Sequence, residues 1–247
     1  MASRAVSLWR RTGGETARPG PEPRGPRARP AFPALAEVAA TPAEALGRPN
    51  CLSVLIELLR PFGADAPIWA ADLLDEFGSV AAVLAANRAS QERILGPGNP
   101  AIPHLGMVRS VMLHVLCKDA VEGPILASSE ALLDYLYVDM AHLPAERLRV
   151  LFLNSKNRLL RDEVMGEGSV SETPVYPREI MRRALEIGAT ALILVHNHPS
   201  GDPEPSRGDI EATRRIIEAG RPFEIRIHDH VIIARSGWSS FRTLGLI

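Results

Sequence analysis

Residues 196–209 read His196-Asn197-His198-Pro199-Ser200-Gly201-Asp202-Pro203-Glu204-Pro205-Ser206-Arg207-Gly208-Asp209, and the rest of the chain is best read outward from them. Just before them, Ala191–Val195 is an unbroken apolar run of strand length, the pattern of a central strand covered on both faces. Side chains alternate along a strand, so His196 and His198 at its end point the same way. The ten residues after His198 hold three prolines and two glycines, which makes a stiff loop. Ser206 then suits a helix N-cap, with Asp209 in the first turn. Two imidazoles and a carboxylate returned by the loop are three donors for a tetrahedral cation, with the fourth position open to water. The same Ser-x-x-Asp also reads simply as a helix start, and spacing alone leaves both readings open.

On either side the grammar is mixed α/β. A helix from Ser129 to about Ala141 precedes an apolar strand through Leu148, Val150, Phe152 and Leu153. Asn154-Ser155-Lys156-Asn157 is a turn by composition, and Arg158–Val164 returns as a second strand. Pro177 opens a helix that Gly188 closes, and a further helix spans about Ser206–Ala219. Phe223, Ile225 and Ile227 alternate as a strand, with Val231–Ala234 close behind. Interleaved strands and helices predict a mixed sheet with helices packed on it.

Upstream, Leu52–Lys118 is helical by spacing: Leu52, Leu55, Ile56 and Leu59 recur at three and four residues, as do Leu73, Leu74 and Phe77. Gly63 and Gly78 read as C-caps, and Leu95-Gly96-Pro97-Gly98 separates two more helices, the second around Met107–Leu116. Residues 1–50 hold eight of the 21 prolines and eight arginines with almost no apolar periodicity, so they read as a disordered tail. The chain thus divides into a tail over 1–50, a helical domain over 51–119 and an α/β domain over 125–247.

Composition narrows the function classes. With 28 Lys+Arg against 29 Asp+Glu the formal net charge is −1, which excludes a generally basic nucleic-acid coat but permits a local patch. No run is long enough to span a bilayer, so no membrane association is expected. Cys51 and Cys117 lie far apart, which argues against a disulfide scaffold and for a reducing, cytoplasmic setting.

His-x-His, seven residues, then Ser-x-x-Asp is the JAMM pattern of MPN-type metalloproteases, and the wording HNHPSGDPEPS resembles the RadC branch of that family. VLFLNSKNRLL, VYPREI and DHVII support the resemblance, which covers about 120–247 well and 50–118 loosely. It implies an MPN fold, related to that of cytidine deaminases, and one Zn²⁺ per chain held by His196, His198 and Asp209. It also implies a general base in a glutamate leading into the first strand, for which Glu146 is the match; Glu163 and Glu167 follow the hairpin instead. The chemistry implied is hydrolysis of an amide bond in a protein or peptide substrate. On the same resemblance, water acidified by the metal to a pKa near 7 would be deprotonated by Glu146, and Ser206 would donate to the oxyanion.

The other residues that draw attention have plainer readings. His228-Asp229-His230 is a second His-x-His without a following carboxylate, and reads as a strand junction in the closing hairpin. Asp202 and Glu204 read as solvated loop acids, and Arg178-Glu179 as a helix-start charge pair. In RadC proteins the first domain resembles a helix-hairpin-helix, which holds DNA phosphate on backbone N–H groups. Here Pro97, Pro100 and Pro103 remove donors, and residues 99–103 read as an insertion before the second helix. Weak, salt-sensitive DNA contact through 51–119 and the Arg-rich tail is therefore the most this region promises. The alternative to a peptidase is a DNA-repair-associated DNA-binding or scaffold protein without turnover.

Overall fold

The computed structural model describes residues 47–121, 125, 129–168 and 176–247. The tail expected over 1–50 therefore lies outside the described residues up to position 46. Helix α1, Arg48–Leu59, already begins inside it, with Pro49 in its first turn where the missing N–H costs nothing.

Four further helices complete the first region: α2 (Ala66–Phe77), α3 (Val80–Ala85), α4 (Arg88–Leu95) and α5 (Ala101–Val121). Leu55, Leu59, Leu73, Leu74, Val83 and Leu105 are buried together as its core. Gly78 closes α2 in the left-handed conformation, as a C-cap glycine should. The sequence placed an insertion at 99–103 and began the next helix near Met107. The structure instead starts α5 at Ala101, with Pro103 in the first turn. A proline there displaces no intrahelical bond, so the helix absorbs it.

Helix α6 (Ser129–Met140) leads into a five-stranded sheet in the order β2-β1-β3-β4-β5. Its strands are β1 (Arg147–Leu153), β2 (Leu159–Glu167), β3 (Ala191–Asn197), β4 (Arg226–Ala234) and β5 (Gly237–Ser240). All pairings are antiparallel except β3 with β4, which are parallel. Helix α7 (Pro177–Ile187) comes between β2 and β3, and α8 (Arg207–Gly220) is the crossover from β3 to β4. One sheet face packs Leu151, Leu153, Ile193, Val195, Val231 and Ile233 against α6. The other packs Leu148, Val150, Phe152, Leu192 and Leu194 against Ile180 and Ala184 of α7 and Ile216 of α8. Every residue of β3 is buried, as its unbroken apolar run predicts.

The segment after α8 departs from simple alternation. Residues 221–223 form a 3₁₀ turn rather than a strand, and β4 is one continuous strand interrupted by a bulge. Ile227 faces Leu192 and Asp229 faces Ile193, so His228 is the extra residue. Ile225 packs on the α7/α8 face, whereas Val231 and Ile233 lie on the α6 face. The bulge therefore reverses the side to which even-numbered residues point. At the end of α8, a Cβ on Gly220 would sit 2.6 Å from the Ile225 carbonyl oxygen, so only glycine permits so close a turn into β4.

Charged side chains fasten α6 to the sheet. Arg149 of β1 pairs with both Asp139 and Asp162, and Tyr135 Oη lies 2.8 Å from its guanidinium; the three charged side chains are only 12–14% exposed. Arg109 of α5 donates to both the carboxylate and the backbone carbonyl of Asp139 at 3.0 Å, extending the network into the helical region. Replacing one partner of such a cluster leaves buried charge uncompensated, at a cost of about 3–5 kcal/mol. Arg149→Leu should lose stability of that size in urea unfolding. Arg182→Ala, which removes exposed pairs with Glu179 and Glu186 on α7, should lose no more than about 1 kcal/mol. Equal losses in the two variants would show that the cluster is not what fixes α6.

Candidate metal centre

The end of β3 and the start of α8 bring three side chains together. His196 Nε2 lies 2.9 Å from His198 Nε2 and 3.2 Å from Asp209 Oδ1, and His198 Nε2 lies 3.4 Å from Asp209 Oδ2. Donors around a tetrahedral ion with bonds of 2.0–2.1 Å are separated by about 3.3 Å, so this triangle has the size such an ion needs. The two-nitrogen, one-oxygen set suits zinc and other first-row divalent ions. The three residues form the one candidate metal-holding group found among the described residues.

Asp209 reaches the triangle because it is also part of a helix cap. Ser206 Oγ accepts from the Asp209 N–H at 3.2 Å, and Asp209 Oδ2 accepts from the Ser206 N–H at 2.8 Å, a reciprocal capping box. The helix start read from Ser-x-x-Asp is thus formed, and the same Asp209 carboxylate that closes it also faces the two histidines. Burial opposes ionisation of Asp209, but bonds and charge from His196 and His198, with the Ser206 bond, hold its carboxyl well below the usual carboxylate range. His198 is shifted upward, first by its bond with Asp209 against the effect of burial, then by the Asp202 carbonyl and the charges of Asp209 and Glu146.

Both imidazoles are held from behind. His198 Nδ1 donates to the Asp202 carbonyl at 2.8 Å, which leaves Nε2 with its lone pair. That loop is in turn stitched to the β4–β5 hairpin: Arg235 donates to the carbonyls of Pro199 and Ser200, Ser236 to Gly201 and Ser239 of β5 to Pro203. His196 Nδ1 meets His230 Nε2 at 2.8 Å, and His230 Nδ1 meets Thr213 Oγ1 at 2.6 Å. His230 thus stands directly behind a site residue rather than at a mere strand junction. Sequence alternation missed it because the bulge at His228 turns His230 onto the α8 face. Burial, then the charge of His196, push the His230 imidazole well below its ordinary pKa.

Asn197, between the two histidines, is fully buried and serves the segment that leads into β1. Its Oδ1 accepts from the Arg147 N–H at 2.9 Å and its Nδ2 donates to the Ala145 carbonyl at 3.1 Å. These bonds grip the backbone on both sides of Glu146, whose own carbonyl accepts from Gly168 N–H at 2.9 Å. Glu146 is half-buried and close enough for its charge to act on His198. The intervening residue of a His-x-His carried no signal in the sequence; only the pairing of β3 with β1 reveals its work.

The remaining candidates go elsewhere. Glu163 is paired with Arg183 and Glu167 with Arg147. Asp202 Oδ1 accepts from the Glu204 N–H within the loop, His228 bonds Asn157 at 2.8 Å, and Arg178 pairs with Glu179. At the start of α5, where a helix-hairpin-helix would meet phosphate, Asn99 Oδ1 accepts from Ala101 N–H at 2.9 Å and its Nδ2 donates to Leu95 carbonyl at 3.0 Å. The chain caps this helix with its own side chain.

Residues 126–246 match the model of one protein family, described as the RadC-like JAB domain. The span covers both elements that carry the triangle and the Glu146 segment.

A cation and a proton compete for His198 Nε2. Without a cation, the raised pKa of His198 means that its charged pair with Asp209 contributes stability in full below about pH 6.5, the unfolded value. That contribution is lost as pH rises through the folded value. Zinc affinity, measured by calorimetry across pH, should therefore fall as pH drops through the raised His198 pKa, approaching about tenfold per unit. A flat profile through that range would remove His198 from the site.

Proposed function

We propose, from the premise that this chain belongs to the RadC family through its JAB domain, that it is a zinc-dependent hydrolase of an amide bond in a protein or peptide. The observation that carries this reading is the convergence of His196 Nε2, His198 Nε2 and an Asp209 carboxylate in one triangle beside Glu146. When bound, the cation supplies Lewis acidity, which polarises a scissile carbonyl and acidifies water.

The chain's own residues do the rest. Glu146, fixed through its backbone by Asn197, takes a proton from the attacking water and delivers it to the leaving amine nitrogen. Ser206 donates its hydroxyl proton to the carbonyl oxygen as negative charge grows there. Its cap contact uses a lone pair on Oγ, so the proton is available for that task. The low carboxyl pKa of Asp209 keeps it ionised at every working pH. The DNA-binding alternative has less support, because Asn99 already occupies the N–H that a phosphate would need at α5.

Elemental analysis of dialysed protein should find about one zinc per chain in the wild type and in Glu146→Gln, and none in His196→Ala or Asp209→Ala. Against a panel of peptide and isopeptide substrates, Glu146→Gln should lose about 10²–10⁴-fold in kcat with the metal retained. A folded wild type that takes up no zinc would overturn the reading. Equal turnover in the wild type and Glu146→Gln would take the proton transfer away from Glu146.

A further inference from the structure

Behind His196, on the side away from His198, two buried side chains stand in series. His196 Nδ1 lies 2.8 Å from His230 Nε2, His230 Nδ1 lies 2.6 Å from Thr213 Oγ1, and Thr213 Oγ1 lies 2.6 Å from the backbone carbonyl oxygen of Asp209. Thr213 is 1% and His230 4% exposed, so the chain of contacts is sealed from bulk water. The His230 ring also packs on Phe241, centroids 4.5 Å apart.

The contacts can be satisfied in only one direction. A carbonyl oxygen accepts and never donates, and a threonine hydroxyl has a single proton. That proton therefore goes to the Asp209 carbonyl, and Thr213 Oγ1 accepts from His230 Nδ1–H. A neutral imidazole protonated at Nδ1 offers only a lone pair at Nε2, so His230 accepts from His196 Nδ1–H. Neutral His196 is then left unprotonated at Nε2, the atom that faces His198 and Asp209, so its 3.2 Å approach to Asp209 Oδ1 is a hydrogen bond only when the ring carries a second proton.

We propose that Thr213 and His230 are positioning residues that lock His196 in its Nδ1–H tautomer. Helix α8 then contributes to the site twice: once through the Asp209 carboxylate, and once through the Asp209 main-chain carbonyl, acting by way of Thr213 and His230. The tautomer assignment stands on the protein alone; its consequence for cation binding rests on the function proposed above.

Thr213→Val keeps the shape and removes the hydroxyl, whereas Thr213→Ser keeps the hydroxyl. In the valine variant the His230 Nδ1–H has no acceptor. The proton gains by moving to Nε2, which must then meet a lone pair on His196 Nδ1, and this puts the His196 proton on Nε2. Zinc should consequently bind Thr213→Val about 10–100-fold more weakly than wild type, the loss typical when an outer partner of a metal-binding histidine is removed. Thr213→Ser should restore binding close to wild type. In metal-free protein above the imidazole titration range, ¹⁵N NMR should report His196 Nε2 as unprotonated in wild type and Thr213→Ser, and protonated in Thr213→Val.

A wild-type spectrum with the His196 proton on Nε2 overturns the assignment whether or not the variants fold. So does a valine variant that melts earlier but keeps the wild-type tautomer and zinc affinity, since Thr213 would then be structural only. Failure of the wild type to bind zinc would remove the proposed function, while the NMR result would still decide the tautomer.

Discussion

A strand buried on both faces tolerates polar side chains only where partners wait for them. The end of β3 satisfies that condition three times in succession. His196 is met by His230, Asn197 by the backbone on either side of Glu146, and His198 by the Asp202 carbonyl. Each contact satisfies a group that would otherwise cost a few kcal/mol to bury. Each also sets the direction in which the side chain can act. Packing and site geometry are thus the same constraint, because satisfying these polar groups fixes the orientation of both imidazoles and of the Glu146 segment.

Asp209 shows how a second element is drawn into that arrangement. Its carboxylate accepts a helix-cap bond and faces two histidines, so the first turn of α8 and the triangle cannot form independently. The loop between is tied down by Arg235, Ser236 and Ser239, which limits the ways the two ends can be presented to each other. The Arg149 cluster does comparable work on the opposite face, holding α6 against β1 and β2.

Much of this was legible in the sequence, for identifiable reasons. The buried run Ala191–Val195 announced a central strand, and strict alternation placed His196 and His198 together. Proline and serine marked the loop and the start of α8. What escaped was whatever depended on register between strands. Asn197 acts across the β1–β3 pairing, and nothing local to it says which backbone it meets. His230 acts on a face that the pattern Ile225, Ile227 assigns to odd-numbered residues. At Pro100 and Pro103 the sequence signal was present but read too strongly, since prolines in a first turn are tolerated where those in a helix interior are not.

The bulge at His228 makes the length of β4 part of its information. Most properties of a strand survive substitution of one residue by another of similar kind, and the side chain of His228 takes no part in the site. Its place in the count does. Were His228 taken into the ladder instead of looped out, regular alternation from Ile227 would carry His230 to the sheet face occupied by α6, away from His196. The strand therefore depends on where its extra residue is looped out more than on which residue that is. A chain one residue shorter at this point would place His230 behind His196 by plain alternation, with no bulge to form.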